Sequence, residues 1–143
     1  MYLLDNDTLK LVVTGEGNIT RRIAPHLSSV WISSVTAEEL LVAHMNAINR
    51  ARSPRNSLSL PRAYTHFAQA LEDIRLFPLL ISSDEADAVY RTFPPAITRI
   101  GPQDCRIAAQ AIAHGMIVLT RNLRDFQAIG AACEDWSAPV PFT

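Results

Sequence analysis

The sequence predicts an α/β fold with a central, mostly parallel sheet of four to five strands. Three observations predict it. The apolar runs Tyr2-Leu3-Leu4, Val30-Trp31-Ile32 and Met116-Ile117-Val118-Leu119 have the length and content of buried strands. Longer stretches between them carry apolar residues at helical spacing. Gly15, Gly17, Ser53-Pro54 and Pro94-Pro95 punctuate the two kinds of segment.

Each element follows in order. Residues 2–4 form the first strand, and Thr8 to Val13 a short helix ended by Gly15 and Gly17. Val30 to Ser33 is the second strand. Thr36 to Asn49 repeats apolar residues at Leu40, Val42, Ala43, Ala47 and Ile48, as an amphipathic helix does. Leu60 to Leu71 resumes that spacing through Tyr64, Phe67 and Ala68. Ile74 to Ile81 reads as a strand, with Pro78 placing it at an edge or a strand end. Ser83 to Tyr90 is a capped helix, and Thr92 to Gly101 a loop. Pro102 suits the first turn of a helix that runs to His114, with Gly115 as its C-cap. After the strand at 116–119 come a helix from Asn122 to Ile129 and a last strand within Cys133 to Trp136.

The 143 residues are expected to form one domain, 1–143, large enough for a real core. A hydrophobic content of 48% excludes intrinsic disorder. No apolar run approaches the roughly 18 residues of a membrane span, and Asp5 comes too early for a signal peptide. Cys105 and Cys133 make neither a disulfide framework nor a zinc pair, so a cytoplasmic protein with reduced thiols is expected. The formal charge is −1, but its distribution is uneven. Of the 13 basic residues only Lys10 is a lysine, and no acid occurs between Leu40 and Leu71, where Arg50, Arg52, Arg55 and Arg62 fall. That stretch suits phosphate contacts or an acidic protein partner.

Four acids follow predicted strands or open helices: Asp5, Glu39, Asp104 and Asp125. In a parallel sheet, ligands bind beyond the carboxyl ends of the strands, where these acids would gather. Each has a plain structural explanation. Thr36-x-x-Glu39 matches a capping box. Asp104 and Asp125 would each complement the positive end of a helix dipole. Asp5 is the hardest to explain so, because a carboxylate beside a buried strand is costly without a partner. Together the four would repel unless a cation sat among them. Mg²⁺, or Mn²⁺, suits an all-oxygen site that receives a phosphate. Zinc does not, since His26, His44, His66 and His114 show no ligand spacing.

The strings Tyr2-Leu3-Leu4-Asp5, Ile32–Leu40, Ile100–Ala109, Val118–Phe126 and Glu134-Asp135-Trp136 together resemble the PIN-domain ribonucleases, and among them the VapC-type toxins of toxin–antitoxin operons. The resemblance spans nearly the whole chain in order. It implies a three-layer α/β/α domain and a Mg²⁺- or Mn²⁺-dependent endoribonuclease acting through metal-activated water. It also implies a homodimer and a cognate antitoxin. Asp5, Asp104 and Glu39 match the family's metal-binding acids, with Asp125 as the remaining catalytic acid. Thr120 and Asn122 match a polar pair, and Thr8 joins them as a supporting residue. Arg55, Arg62, Arg106 and Arg121 are the candidate RNA contacts. The first motif departs from the family's usual D-T-N, reading Asp5-Asn6-Asp7, and Asn122 stands where many members carry an acid.

Two rival classes remain on the sequence. Asp5-x-Asp7 followed by Thr8 is similar to the nucleophile motif of haloacid-dehalogenase phosphatases, but the threonine comes one residue early and Lys10 is the only lysine. A phosphoacceptor receiver domain fails for want of a late lysine. The other rival is a degenerate PIN module that binds RNA or protein without cutting.

Overall fold

The computed structural model describes residues 1–55 and 57–141. Strand β1 (Tyr2–Leu4) leads through Asp5 into helix α1 (Asn6–Val13). Helix α2 (Gly17–Ile23) and a 3₁₀ helix (Ala24–Ser29) precede β2 (Val30–Ser33). Then come α3 (Ser34–Ala51), α4 (Leu60–Ile74), β3 (Leu79–Leu80), α5 (Asp84–Arg91), α6 (Pro95–Thr98), α7 (Pro102–His114), β4 (Ile117–Leu119), α8 (Leu123–Ile129) and β5 (Cys133–Glu134). The five strands lie in the order β3-β2-β1-β4-β5, and every pairing is parallel. The sheet is therefore wholly parallel, with β1 at its centre, and carries helices on both faces.

Alternation along the strands builds the two core layers. Leu3 and Val118 point to one face, where Cys105, Ile107, Ala108 and Ala111 of α7 and Phe126 of α8 close over them. Leu4, Ile32 and Leu119 point to the other, under Leu9, Ile19, Ile23, Leu40 and Ala70. Two junctions lock the layers together. The Ser33 hydroxyl donates to Gln110 Oε1, and Gln110 Nε2 donates to the Leu80 carbonyl at 3.3 Å. Trp136 is buried against Tyr2 and His26, with its indole N–H on Glu134 at 2.6 Å. The closing Glu134-Asp135-Trp136 thus seals the sheet's outer strand.

Several sequence expectations change. The region 17–29, left unassigned, is helical. Helix α1 starts two residues before Thr8, and α6 forms in the expected Thr92–Gly101 loop because Pro95 sits at a first helical position. The expected strand at 74–81 contracts to Leu79–Leu80, since α4 continues through Ile74. Gly115 ends α7 as expected, in the left-handed conformation at φ 61°. Among the described residues, no helix is long and apolar enough to cross a membrane.

Candidate active site

The carboxyl ends of β1, β2 and β4 open on a pocket of about 160 Å³, lined by Asp5, Asn6, Asp7, Glu39, Asp104, Ile107 and Asn122. Asp5 is the N-cap of α1, and its Oδ1 accepts the Thr8 amide at 2.8 Å. That bond uses one oxygen and holds the carboxylate at the strand's end, only 8% exposed. Its own amide donates to the Leu119 carbonyl at 3.3 Å, so β1 and β4 end together.

Glu39 arrives differently from the capping-box expectation. Ser33 is the N-cap of α3, its hydroxyl accepting from the Val35 amide at 3.0 Å. Thr36 is therefore already inside the helix, where its hydroxyl donates to the Leu4 carbonyl at 3.3 Å. Glu39, in the second turn, has no amide to cap and faces the pocket. Asp104 lies in the first turn of α7, which has no side-chain cap at Gly101. Asn122 is the N-cap of α8, yet it makes no cap bond through its side chain. Its Nδ2 instead donates to Asp125 at 2.9 Å and to Asp104 at 3.4 Å.

The electrostatics are those of crowded anions. Burial pushes the Asp5 carboxyl above its ordinary range, while the Thr120 hydroxyl and the Thr8 amide act in the opposite direction. Glu39 is raised by burial, then by the charges of Asp104 and Asp5. Asp104 is raised by burial, then by Asp5 and Asp125. Among the described residues, no lysine or arginine lines the pocket. Lys10 lies on the surface of α1, 3.8 Å from Asp7, so it is not a phosphatase-type lysine inside the pocket.

Among the described residues, no three His, Cys, Asp or Glu side chains form a preassembled metal cage. The donor set nonetheless fits a hard cation that keeps most of its water. Such an ion needs only one or two direct carboxylates, plus oxygens for its aqua ligands. The pocket offers four carboxylates, Asp5, Asp7, Glu39 and Asp104, and among the described residues the buried Asn6 Oδ1 has no protein partner.

The remaining candidates divide. Thr8 and Thr120 are buried beside Asp5, and Thr120 Oγ1 also accepts the Asn122 amide at 2.9 Å. Asp125 does not line the pocket; it accepts a hydrogen bond from Asn122, which does, and its charge is felt by Asp104. Arg121 is exposed, adjacent in sequence to Asn122. The Arg106 guanidinium stacks over Tyr90, 4.2 Å from the ring centre, and is thus already engaged. Arg55 and Arg62 are exposed around the α3–α4 turn. From Glu39 to the end of α3 is about 18 Å of helix, so these two lie outside the pocket. Sequence reasoning did not single out Asn6, whose position between Asp5 and Asp7 was its only signal.

No family model matches the chain. It is 26% identical over 137 residues to the tRNA(fMet)-specific endonuclease VapC of Salmonella typhimurium, covering 94% of this chain and 97% of that protein. It is 28% identical over 123 residues to Ribonuclease VapC1 of Rickettsia felis, covering 86% and 87%. The DNA-bound VapBC structure from Salmonella typhimurium superposes with a TM-score of 0.72 at 27% identity, over 94% of this chain and 97% of that one. FitAcB from Neisseria gonorrhoeae shares the fold, with a TM-score of 0.69 at 21% identity over 94% and 97%. In sequence over nearly its full length, and in fold, this chain is similar to the VapC ribonucleases and to the toxin of a VapBC complex.

Proposed function

We propose that this chain is a Mg²⁺-dependent endoribonuclease, with Mn²⁺ as an alternative ion, and the toxin of a toxin–antitoxin pair. The observation that carries the reading is the pocket of Asp5, Glu39 and Asp104. Burial raises the proton affinity of all three, the Asp5 charge adds to that of the other two, and among the described residues no basic side chain lines the wall. The names of the two curated relatives are those of nucleases, and the Salmonella neighbour is a VapBC complex, which supports the substrate class and an antitoxin partner.

Asp5, Glu39 and Asp104 would hold the ion. Bound there, Mg²⁺ would acidify water, neutralise charge on the scissile phosphate and orient it. The chain's own groups do the rest. The Thr8 amide holds Asp5 through Oδ1 at 2.8 Å, and the Thr120 hydroxyl favours its ionised form. Glu39, with its raised proton affinity, is suited to take the proton of the attacking water. A water oxygen bonds to phosphorus, the bond to the 3′ oxygen breaks, and that oxygen takes up a proton. The products carry 5′-phosphate and 3′-hydroxyl ends. Arg121, Arg55 and Arg62 are assigned to phosphates along the RNA. Arg106 keeps its stacked place on Tyr90. A cognate antitoxin would cover the pocket, and the active form is taken to be a cytoplasmic homodimer.

The test is cleavage of RNA with Mg²⁺, with EDTA, and by Asp5→Asn. Cleavage is expected only by the wild-type chain with the ion. Equal cutting by Asp5→Asn would remove the carboxylate mechanism.

A further inference from the structure

An asparagine at a helix N-cap ordinarily accepts the amide of the second or third helical residue. Asn122 does not. Its backbone amide is anchored on Thr120 Oγ1 at 2.9 Å, which fixes where the side chain starts. Its Nδ2 carries two N–H groups, enough for one to each of two acceptors. The acceptors present are Asp125 Oδ2 at 2.9 Å and Asp104 Oδ2 at 3.4 Å. Two carboxylates on the same side of a carboxamide also settle its orientation, since only the nitrogen edge can face both. Asn122 lines the pocket, whereas Asp125 does not.

Resting on the metal-dependent reading above, we infer that Asp125 positions the site through Asn122: it orients the Asn122 amide, and the amide orients Asp104. Asn122 and Asp125 are then positioning residues, and Asp104 is the one of the three that meets the ion. The amide also bridges two carboxylates that repel across the gap between α7 and α8, and its bond to Asp104 opposes the effect of the Asp125 charge. A neutral residue thus does here what an added acid would undo. It binds the Asp104 carboxylate in place without adding a charge that a cation must offset.

The experiment is Mn²⁺ titration calorimetry on wild type, Asn122→Ala, Asp125→Ala, the double variant, Asp125→Asn and Asp5→Asn. Loss of an orienting partner of a metal ligand weakens binding roughly 10- to 100-fold. Each alanine variant is expected to fall in that range, and the double variant no lower than the weaker single one. Asp125→Asn keeps an acceptor oxygen for the Asn122 amide, so it is expected to bind within about threefold of wild type. Multiplying losses in the double variant, or Asp125→Asn as weak as Asp125→Ala, would overturn the relay.

A second readout needs no ion. In EDTA, the Asn122 side-chain amide protons are expected to be resolved by NMR, slow in solvent exchange, and shifted by Asp125→Ala. A freely exchanging amide that Asp125→Ala leaves unmoved would also overturn it. If wild type binds no Mn²⁺, the metal-dependent reading fails, and the amide signal alone decides the relay.

Discussion

Asp5 shows how one residue serves fold and chemistry in opposite senses. It caps α1, yet burial and neighbouring charge disfavour its ionised form. Glu39 and Asp104 share that direction. In the folded chain these groups hold protons more tightly than in the unfolded one. Their stabilising contribution is fully present below the ordinary carboxyl range, and it is lost as pH rises through their raised values. Without a divalent ion, wild type should therefore lose thermal stability on going from about pH 4 to pH 7 relative to Asp104→Asn. At pH 7 in EDTA that variant should melt higher by roughly 2–4 °C, the shift of ~1 kcal/mol in a chain of this size. Mg²⁺ should raise the melting temperature of wild type and leave Asp104→Asn nearly unmoved. Melting curves in EDTA and in Mg²⁺ across that pH range check both statements. Asp5→Asn should lower cleavage by about 100-fold or more, the scale of losing one preorganised electrostatic group, measured with labelled RNA. That Asp5, Glu39 and Asp104 share one pocket was legible from their places after a strand or near a helix start, which a parallel sheet gathers at one edge. The Thr36 capping box was misread, because Ser33 supplies a competing cap three residues earlier and the local pattern cannot rank the two.

Among elements, legibility followed periodicity. The strands at 2–4, 30–33 and 117–119, and helices α3 and α7, carry enough apolar repetition to stand out. Residues 17–29 carry little: α2 is seven residues long, opens on a glycine and buries only Ile19 and Ile23. At 74–81 the run Ile74, Leu76, Phe77, Leu79 and Leu80 suits a strand, but α4 extends into it and leaves a two-residue edge strand. The α3–α4 pair is the element with the most to lose from a volume change. Ala63 and Ala70 are the buried residues of α4, at 0% and 2% exposure, and their small side chains set how closely that helix packs. Ala70→Leu should force α4 outward and cost about 1–3 kcal/mol, read as a lower midpoint in urea unfolding. Tyr64→Ala should cost much less, since Tyr64 is 47% exposed and its hydroxyl accepts from exposed Arg52 at 3.2 Å.

For the molecule as a whole, the formal charge of −1 conceals a division of labour. The acids gather beyond the central strands, while residues 40–71 of the α3–α4 pair hold no acid and present Arg50, Arg52, Arg55 and Arg62. The sequence alone exposed this basic window, but not its separation of about 18 Å from the acids, which follows from the length of α3. An anionic polymer that reaches the acid pocket would then be held by the basic arm at a distance, where its charge does not compete with the cation site. Each phosphate neutralised on single-stranded nucleic acid contributes about 0.7 to the slope of log affinity against log salt. Replacing Arg55 and Arg62 with glutamine should therefore flatten that slope by about 1.4 for an uncleaved RNA bound to Asp5→Asn. Arg52→Gln is a less clean probe, because that guanidinium also bonds Asn49 and Tyr64 within the arm. Fluorescence anisotropy over a series of KCl concentrations measures the slope. An unchanged slope would assign the basic arm to an acidic protein surface instead of the RNA backbone.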